Sequence, residues 1–200
     1  IESVEPEDFL LNQYDYPVYT LLKGFDLYEN KETGKYDRDE FHHHPEKYQC
    51  KFKPYTKAAD ILMNGIYWDE KIEPLFSLEE IQKPDFKISV ISDVTCDING
   101  SVPTTIEATT IADPVYGFDR KMLRRNQPFQ NTSEIIDMMT VDNLPNELPR
   151  DASKHFGEHI IKFIIPELLK KESDILERAT ICSNGQLTTH FEYLFDYAFE

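Results

Sequence analysis

The chain has 200 residues and a formal charge of −16, from 21 basic and 37 acidic side chains. That length is enough for one large domain or two small ones with a buried core. The acidic balance argues against a general affinity for nucleic acid or for an anionic membrane, because phosphates would be repelled. No apolar run approaches the roughly 20 residues that span a bilayer, and no signal segment opens the chain. We expect neither a nucleic-acid nor a membrane partner.

The cysteines and the first residue bear on the setting of the protein. Cys50, Cys96 and Cys182 are widely spaced and form no C-x-x-C pair. This spacing disfavours a disulfide framework and a structural zinc site, and it favours a reducing cytoplasm as the location. The chain opens with Ile1 rather than Met, which indicates a piece of a longer protein.

The first third of the chain is predicted to be mostly irregular. Tyr16–Leu22 is β-branched and aromatic, which predicts a strand or an extended arm. Residues 24–55 are polar and tyrosine-rich with little periodicity, and we interpret them as an excursion over the surface. A short helix is predicted near Asp37–Tyr48, where Pro45 bends or interrupts it.

The middle third contains three strand-like runs, which are Ala59–Tyr67, Phe86–Val94 and Ile135–Val141. They are mostly apolar without clean alternation, as expected for strands that are buried on both faces of a parallel sheet. Ser77 is predicted to cap a short helix, with Glu80 at the spacing of a capping box. We therefore predict an α/β fold with a Rossmann-like, doubly wound parallel sheet.

The last quarter of the chain is predicted to be helical. Residues 150–172 carry apolar side chains at helical spacing, and Pro166 should kink or split that helix. Residues 185–199 are predicted to form a final aromatic, amphipathic helix that needs a surface to lie against. We divide the chain into a nucleotide-binding part, 1–149, and a helical segment, 150–200, that packs on a companion domain.

Each predicted strand is followed by a polar or glycine-bearing cluster. The clusters are 64–68 (NGIYW), 94–101 (VTCDINGS) and 141–145 (VDNLP). Ligands of open parallel sheets bind beyond the carboxyl ends of the strands, so three such clusters would converge on one crevice. The alternative is that these residues only make turns, and Asp142 would then cap the turn that follows it.

Several stretches of the sequence resemble those of a known enzyme family. The stretches are NGIYWD, CDINGSV with EATTIADPVYGFD, VDNLPNELPRDAS with HFG, and FHHHPEKYQCKFKPY. Together they resemble the C-terminal portion of lysine–ketoglutarate reductase, which is also called the lysine-forming saccharopine dehydrogenase. That enzyme belongs to the alanine dehydrogenase/pyridine nucleotide transhydrogenase family. The resemblance covers residues 4–156 and implies an oxidoreductase that interconverts saccharopine with lysine and 2-oxoglutarate. Hydride transfer would use NAD or NADP.

The resemblance also implies roles for individual residues. Glu5 would accept hydrogen bonds from the adenosine ribose, which mildly favours NAD because a carboxylate repels a 2′-phosphate. Ile66 and Tyr67 would lie along the adenosine side of the cofactor. Val94 and Asp97 would flank the nicotinamide ribose, with Asp97 as the catalytic carboxylate that orients the substrate amine or holds a proton. The cofactor-binding loop over the nicotinamide end would comprise Val141, Asp142, Asn143 and Leu144.

The sequence also departs from the pattern of that family. The 200 residues contain no G-x-G-x-x-G, and no segment resembles the N-terminal domain that bears the family's catalytic lysine and histidine. We therefore expect residues 1–149 to be the second half of a dinucleotide-binding domain, truncated at its N-terminal side. The chain alone is expected to be inactive, with an N-terminal catalytic domain as its partner and an amino acid as its substrate. A homo-oligomer is compatible with these features. Two alternatives remain open, namely an alanine-dehydrogenase-like enzyme and a non-catalytic interaction or regulatory module.

Other candidate residues favour packing or solvation over chemistry. The run 42–44 (HHH) is interpreted as a solvated surface, because consecutive helical residues point about 100° apart. His155 and His159 are one turn apart without a third ligand, so we interpret them as packing residues. Cys96 has no neighbouring histidine or lysine in the sequence and is interpreted as a packing residue as well. No metal site is predicted.

Overall fold

The computed structural model describes residues 1–199. The chain forms two compact units, Ile1–Leu144 and a second that begins at Pro145. This division lies close to the predicted boundary after residue 149, and the assignment of two domains with separate roles stays a prediction. Among the described residues, no helix is both long and apolar enough to cross a membrane.

The first unit contains nine strands and four short helices. Its strands are β1 (Glu2–Ser3), β2 (Val18–Tyr19), β3 (Tyr28–Asn30), β4 (Tyr48–Cys50), β5 (Ile61–Asn64), β6 (Val90–Asp93), β7 (Val115–Asp119), β8 (Arg124–Asn126) and β9 (Ile135–Met139). Its helices are α1 (Pro6–Leu11), α2 (Gly24–Leu27), α3 (Arg38–His43) and α4 (Leu78–Ile81). Short 3-10 turns cover Pro45–Lys47 and Tyr55–Lys57, and a further one covers Leu144–Glu147.

A five-stranded sheet in the order β5-β6-β9-β7-β8 forms the centre of the first unit. β5, β6 and β9 are parallel and correspond to the three predicted strands. β7 runs antiparallel to β9, and β8 antiparallel to β7, so the sheet is mixed. The predicted α/β class is confirmed, and the arrangement is consistent with a Rossmann-like fold. The β7–β8 hairpin was not predicted.

The hairpin is possible because of one glycine. A Cβ atom on Gly117 of β7 would lie 2.3 Å from the carbonyl oxygen of Gln127, where the chain leaves β8. Any side chain at this position would force the two strands apart. The sequence run PVYGFD, in which a glycine interrupts apolar residues, therefore marks a close approach of two backbones.

The core lies against the sheet and extends into the region before β5. Side chains of the central strands, including Tyr116, Phe118 and Ile136, are 1% exposed or less. Residues 24–57 add five buried aromatic residues to the same core, which are Tyr28, Phe41, Tyr48, Phe52 and Tyr55. The prediction that residues 24–55 form a surface excursion is therefore wrong. Their aromatic side chains bury large apolar areas although the intervening residues are polar.

Local capping follows the sequence closely in the first unit. The side chain of Asp37 accepts a hydrogen bond from the Glu40 amide at 2.8 Å and begins α3. Pro45 follows that helix and opens a 3-10 turn, as predicted. Ser77 and Glu80 form the predicted capping box at the start of α4. These interactions satisfy amides that a helix leaves unpaired in its first turn.

The second unit contains short helices and one small hairpin. Its elements are α5 (Pro149–His159), a π-helical segment (Ile160–Ile164), α6 (Ile165–Leu168), α7 (Asp174–Ala179), β10 (Cys182–Ser183), β11 (Gln186–Leu187), a 3-10 segment (Thr189–Leu194) and α8 (Phe195–Phe199). The predicted interruption near Pro166 appears as the π-helical segment just before it, where the helix adjusts to the missing amide of proline.

The prediction of one helix over residues 185–199 is wrong in its first part. Asn184 and Gly185 have φ angles of 53° and 77°, so they form a tight turn between β10 and β11. An Asn-Gly pair adopts this left-handed conformation readily and favours a hairpin over a helix start. The remaining aromatic residues are helical, first as a 3-10 segment and then as α8.

Candidate functional site

The segments that follow β5, β6 and β9 are tied together by hydrogen bonds. The Val94 amide donates to the carbonyl of Asn64 at 2.8 Å, and the Thr95 hydroxyl donates to the carbonyl of Ile66 at 2.8 Å. The Cys96 thiol donates to the carbonyl of Thr140 at 3.1 Å. We call these three segments, 64–68, 94–101 and 140–144, the strand-end site. The structure therefore links the three segments that carry the predicted site residues other than Glu5.

A buried polar network lies beneath the strand-end site. Asn64 and Asp93 are the last residues of β5 and β6 and face each other in the parallel register. The Asn64 side-chain amide donates to a carboxylate oxygen of Asp93 at 2.8 Å and to the Ser101 hydroxyl at 2.9 Å. The Thr105 hydroxyl donates to the other carboxylate oxygen at 2.5 Å. All four side chains belong to residues that are at most 2% exposed.

The segment 94–101 presents Asp97 to solvent on a tight turn. Cys96 and Asn99 have left-handed φ angles of 55° and 54°. The Gly100 amide donates to the carbonyl of Asp97 at 2.9 Å, and a Cβ atom on Gly100 would lie 2.6 Å from the Asp97 Cβ atom. Glycine is therefore required where this turn closes, and the exposed Asp97 carboxylate is held at its tip.

The third segment leaves β9 through a buried threonine. The Thr140 hydroxyl donates to the carbonyl of Glu107 at 2.8 Å, and Val141 forms a parallel bridge with Thr109. Val141 is buried, and the Asp142 and Asn143 side chains that follow are exposed. Asn143 has a φ of 58°, which turns the chain into the 3-10 segment that begins at Leu144. Two polar side chains thus stand at the edge that Asp97 also faces.

An aromatic pair lies at the end of β5. The Tyr67 ring is 67% exposed, and its centroid lies 5.6 Å from that of His42 in an edge-on arrangement. Ile66, by contrast, is half-buried against the core. The segments that contain HHHPEKY and NGIYW are therefore in contact through His42 and Tyr67. The exposed Tyr67 ring offers a flat face on which an aromatic ligand group can stack.

The pKa values of two groups at the site, the Cys96 thiol and the Tyr116 hydroxyl, are raised mainly by burial. Burial and the nearby carboxylates of Asp93, Asp142 and Asp97 together raise the pKa of the Cys96 thiol, with burial as the largest cause. Cys96 is therefore a poor nucleophile at neutral pH. Tyr116 beneath the site has a pKa that burial raises to about 12, and its hydroxyl donates to the carbonyl of Thr104 at 2.7 Å.

Glu5 lies in a different cleft from the other predicted residues. It is exposed at the start of α1 and lines a cleft of about 490 Å³ with Asp26, Lys51 and Tyr55. None of the residues that line this cleft belongs to the strand-end site. The predicted role of Glu5 in binding ribose stays a prediction.

The predicted packing histidines are exposed and close to each other. The His155 and His159 rings have centroids 4.3 Å apart, and His159 also contacts Phe163. Within residues 1–199, no group of three or more histidine, cysteine or acidic side chains is arranged to hold a metal ion. His42, His43 and His44 are each exposed on or beside α3.

Sequence reasoning missed the residues that hold the site in place. Asp93, Ser101, Thr105 and Thr140 are all buried and all bridge strand ends or the segments after them. A signal was present, because Asn64 and Asp93 each end an apolar run that is otherwise fit for burial. A polar side chain at the end of two neighbouring buried strands predicts a buried hydrogen bond between them.

The strand-end site offers exposed hydrogen-bond acceptors and an exposed aromatic ring. Exposed carboxylate and amide oxygens of Asp97, Asp142 and Asn143 can accept hydrogen bonds from ribose hydroxyls. The exposed Tyr67 ring can lie against a planar ligand group. These residues fit the carboxyl edge of a parallel sheet at which dinucleotides bind.

Comparison with known proteins identifies two related semialdehyde synthases. An alpha-aminoadipic semialdehyde synthase of Arabidopsis thaliana is 33% identical in an alignment of 199 positions that covers 90% of this chain and 18% of that protein. The mitochondrial alpha-aminoadipic semialdehyde synthase of Mus musculus is 29% identical over 88% of this chain and 22% of that protein. The chain is a homologue of these proteins. The resemblance predicted from the sequence is confirmed.

A further homologue carries a more specific name. The saccharopine dehydrogenase (NAD(+), L-lysine-forming) of Emericella nidulans is 26% identical over 141 residues, which is 69% of this chain and 36% of that protein. No family model matches the chain. The chain spans about a fifth of the length of the two semialdehyde synthases.

Proposed function

We propose that the chain forms part of the nicotinamide-nucleotide site of an oxidoreductase that interconverts saccharopine with lysine and 2-oxoglutarate. The observation that carries this proposal is the strand-end site, in which three parallel strands deliver linked polar segments to one edge. Support also comes from the homologues, one of which is named as a saccharopine dehydrogenase that uses NAD(+). When bound, the nucleotide would supply the hydride, and the protein would supply orientation and proton management.

Within this proposal, Asp97 has the central role. Its carboxylate is exposed at the tip of a turn whose backbone is fixed by the Gly100 hydrogen bond. A carboxylate there holds the substrate amine or takes a proton during condensation and reduction. Asp142 and Asn143 accept hydrogen bonds from ribose hydroxyls, while Val94, Val141 and Leu144 supply apolar surface beside the nicotinamide. Ile66 and Tyr67 lie along the adenosine.

The rest of the nucleotide site and the catalytic domain are proposed to come from elsewhere in a longer protein. β5 is an end strand of the five-stranded sheet, and Ile61 and Met63 on one of its faces are 62% and 75% exposed. Strands of parallel sheets are normally covered on both faces. A companion domain that brings the glycine-rich turn would cover this face. Further copies of the chain remain a proposed partner as well.

The experiment compares the chain with the intact protein that contains it. We expect the intact protein to oxidise NADH or NADPH in the presence of both lysine and 2-oxoglutarate. The 200-residue chain alone should show no turnover and weak nucleotide binding by calorimetry. Binding of NADH or NADPH at micromolar concentration by the chain alone would contradict the division of the site. Nucleotide binding by the intact protein without turnover would favour a non-catalytic module.

Two variants test the assignment of residues. Asp97→Asn in the intact protein should lower kcat by about 100-fold or more, the scale of a lost proton-transfer group. Glu32→Gln, which alters an exposed carboxylate outside the strand-end site, should leave kcat unchanged. An Asp97→Asn enzyme with full activity would remove Asp97 from the mechanism.

Cofactor preference and location are further parts of the proposal. Glu5 is proposed to favour NAD over NADP. Glu5→Gln should therefore lower the ratio of the Michaelis constant for NADPH to that for NADH. An unchanged ratio would contradict this role of Glu5. A cytoplasmic location stays a prediction, and the name of the mouse homologue places that protein in mitochondria. Fractionation of cells followed by detection with an antibody would distinguish the two compartments.

A further inference from the structure

Asp93 is a buried carboxylate that makes no contact with a basic group. It is 1% exposed, and none of the ion pairs within residues 1–199 involves it. Three donors compensate instead, namely the Asn64 side-chain amide, the Thr105 hydroxyl and the Cys96 backbone amide at 3.3 Å. Hydrogen bonds to a carboxylate stabilise its charged form without a counter-ion.

The network is not optimised for stability. The Asn64 side-chain carbonyl oxygen is buried and has no hydrogen-bond partner among the described residues. Cys96, which Asp93 holds through its amide, has a left-handed φ of 55° that is unfavourable for a residue with a side chain. Buried ionic and polar groups can often be replaced by apolar ones without loss of stability. Their presence here indicates that a fixed geometry is needed.

The three donors belong to the segments on both sides of the strand-end site. Asn64 begins the segment that carries Tyr67, Cys96 immediately precedes Asp97, and Thr105 accepts the Asn99 amide on its backbone carbonyl at 3.0 Å. One carboxylate therefore sets the separation of two segments. We propose that Asp93 is a positioning residue, which fixes the Tyr67 and Asp97 segments so that both contact the same nucleotide.

This inference rests on the proposed function, and it goes beyond it by naming a residue that touches neither nucleotide nor substrate. Asp93→Asn keeps one side-chain oxygen that can accept from the Asn64 side chain and the Cys96 amide. Its side-chain amide nitrogen can donate to the Thr105 hydroxyl oxygen. Asp93→Ala removes all three interactions. The positioning role therefore predicts that nucleotide affinity falls less in Asp93→Asn than in Asp93→Ala.

The test measures nucleotide affinity and stability together in the intact protein. Asp93→Asn should weaken NADH or NADPH binding by about 3- to 10-fold, and Asp93→Ala by about 30-fold or more. Hydrogen exchange of the amides at 96–100 should accelerate in the same order without nucleotide. Thr56→Val is the matched control, because Thr56 is a buried threonine whose hydroxyl bonds the Lys53 carbonyl outside the site. It should lower stability without changing affinity.

An exchange of the two facing residues makes the test specific. The double variant Asn64→Asp with Asp93→Asn restores one amide and one carboxylate across the pair, so affinity should recover at least threefold relative to Asn64→Asp alone. Urea titration of the same variants separates positioning from overall stability, because positioning predicts a recovery of affinity larger than the recovery of stability accounts for. Unchanged affinity in both Asp93 variants would overturn the inference. Failure of the unaltered protein to bind either nucleotide would instead overturn the proposed function.

Discussion

The two units of the chain differ in how they use their apolar residues. The first unit buries them, and Tyr116, Ile136 and Met138 are completely enclosed at its centre. In the second unit, no residue from 145 to 199 is buried, although Phe156, Ile161 and other large apolar side chains are present. The first unit can therefore support a precise site by its own packing. The second unit leaves its large apolar side chains exposed, and its packing on a companion domain stays a prediction.

A pair of phenylalanine variants tests this difference with the largest expected effect. Phe118→Ala removes a ring that is 1% exposed, and it should lower the free energy of unfolding of the first unit by about 3–5 kcal/mol. Phe156→Ala removes a ring that is 68% exposed and should change that free energy by less than about 0.5 kcal/mol. Urea titration followed by circular dichroism measures both. Equal effects would contradict the exposed placement of Phe156.

A pair of arginine variants sharpens the comparison. The Arg120 guanidinium donates to the carbonyls of Ile81, Lys83 and Ser133 and lies over the ring of Phe86. Arg120→Met leaves these carbonyls without their donor and should cost about 2–4 kcal/mol in the free energy of unfolding. Its counterpart in the second unit is Arg178→Met, which breaks an exposed ion pair with Asp174 and should cost less than about 0.5 kcal/mol. Thermal denaturation of both variants gives the ranking.

The cysteines report on the same contrast through their reactivity. Burial raises the pKa of the Cys50 thiol to about 11, whereas Cys182 is exposed. A rise of two units reduces the thiolate fraction near neutral pH by about 100-fold. We expect iodoacetamide to alkylate Cys182 first and Cys50 last, as mass spectrometry of timed samples would show. Rapid alkylation of Cys50 would indicate that the first unit opens readily.

The smallest expected effect concerns acid. Hydrogen bonds from Lys47 and then Tyr48 lower the pKa of Glu40 in the first unit, and Lys170 and Ser173 do the same for Glu167 in the second. A carboxylate with a lowered pKa stabilises the folded state above its ordinary pKa, and the contribution is lost as the pH falls below about 4.3. Glu40→Gln should therefore reduce the acid sensitivity of the first unit slightly. Glu167→Gln should leave the acid transition of the first unit unchanged, and pH titration of stability compares them.

The elements that sequence reasoning found were those with local causes. The three parallel strands follow from uninterrupted apolar runs, and the helix at 78–81 follows from the Ser77 and Glu80 pair that caps it. The β7–β8 hairpin was missed because its pairing depends on the contact between Gly117 and the chain near Gln127. The burial of the aromatic residues in 24–57 was missed because their partners are far apart in the sequence, as in the Tyr28–Phe41 pair, and include the rest of the core.

The sequence predicted the exposed residues of the strand-end site but not the buried ones. The segments with Tyr67, Asp97 and Asn143 were found because polar residues follow apolar strands. Asp93 was passed over because it lies inside the strand itself, where its role depends on the register that sets it opposite Asn64. Register is a property of two strands together, so a single run of sequence does not reveal it.

The outer strand of the five-stranded sheet has a practical consequence for anyone who purifies the chain. β5 ends the sheet, and its Ile61 and Met63 side chains are largely in contact with water. An unprotected edge with apolar side chains is a template for pairing with another molecule, and it promotes aggregation as the concentration rises. Met63→Lys should delay precipitation of the isolated chain. The same lysine in the intact protein would obstruct the very surface that a companion domain is proposed to cover.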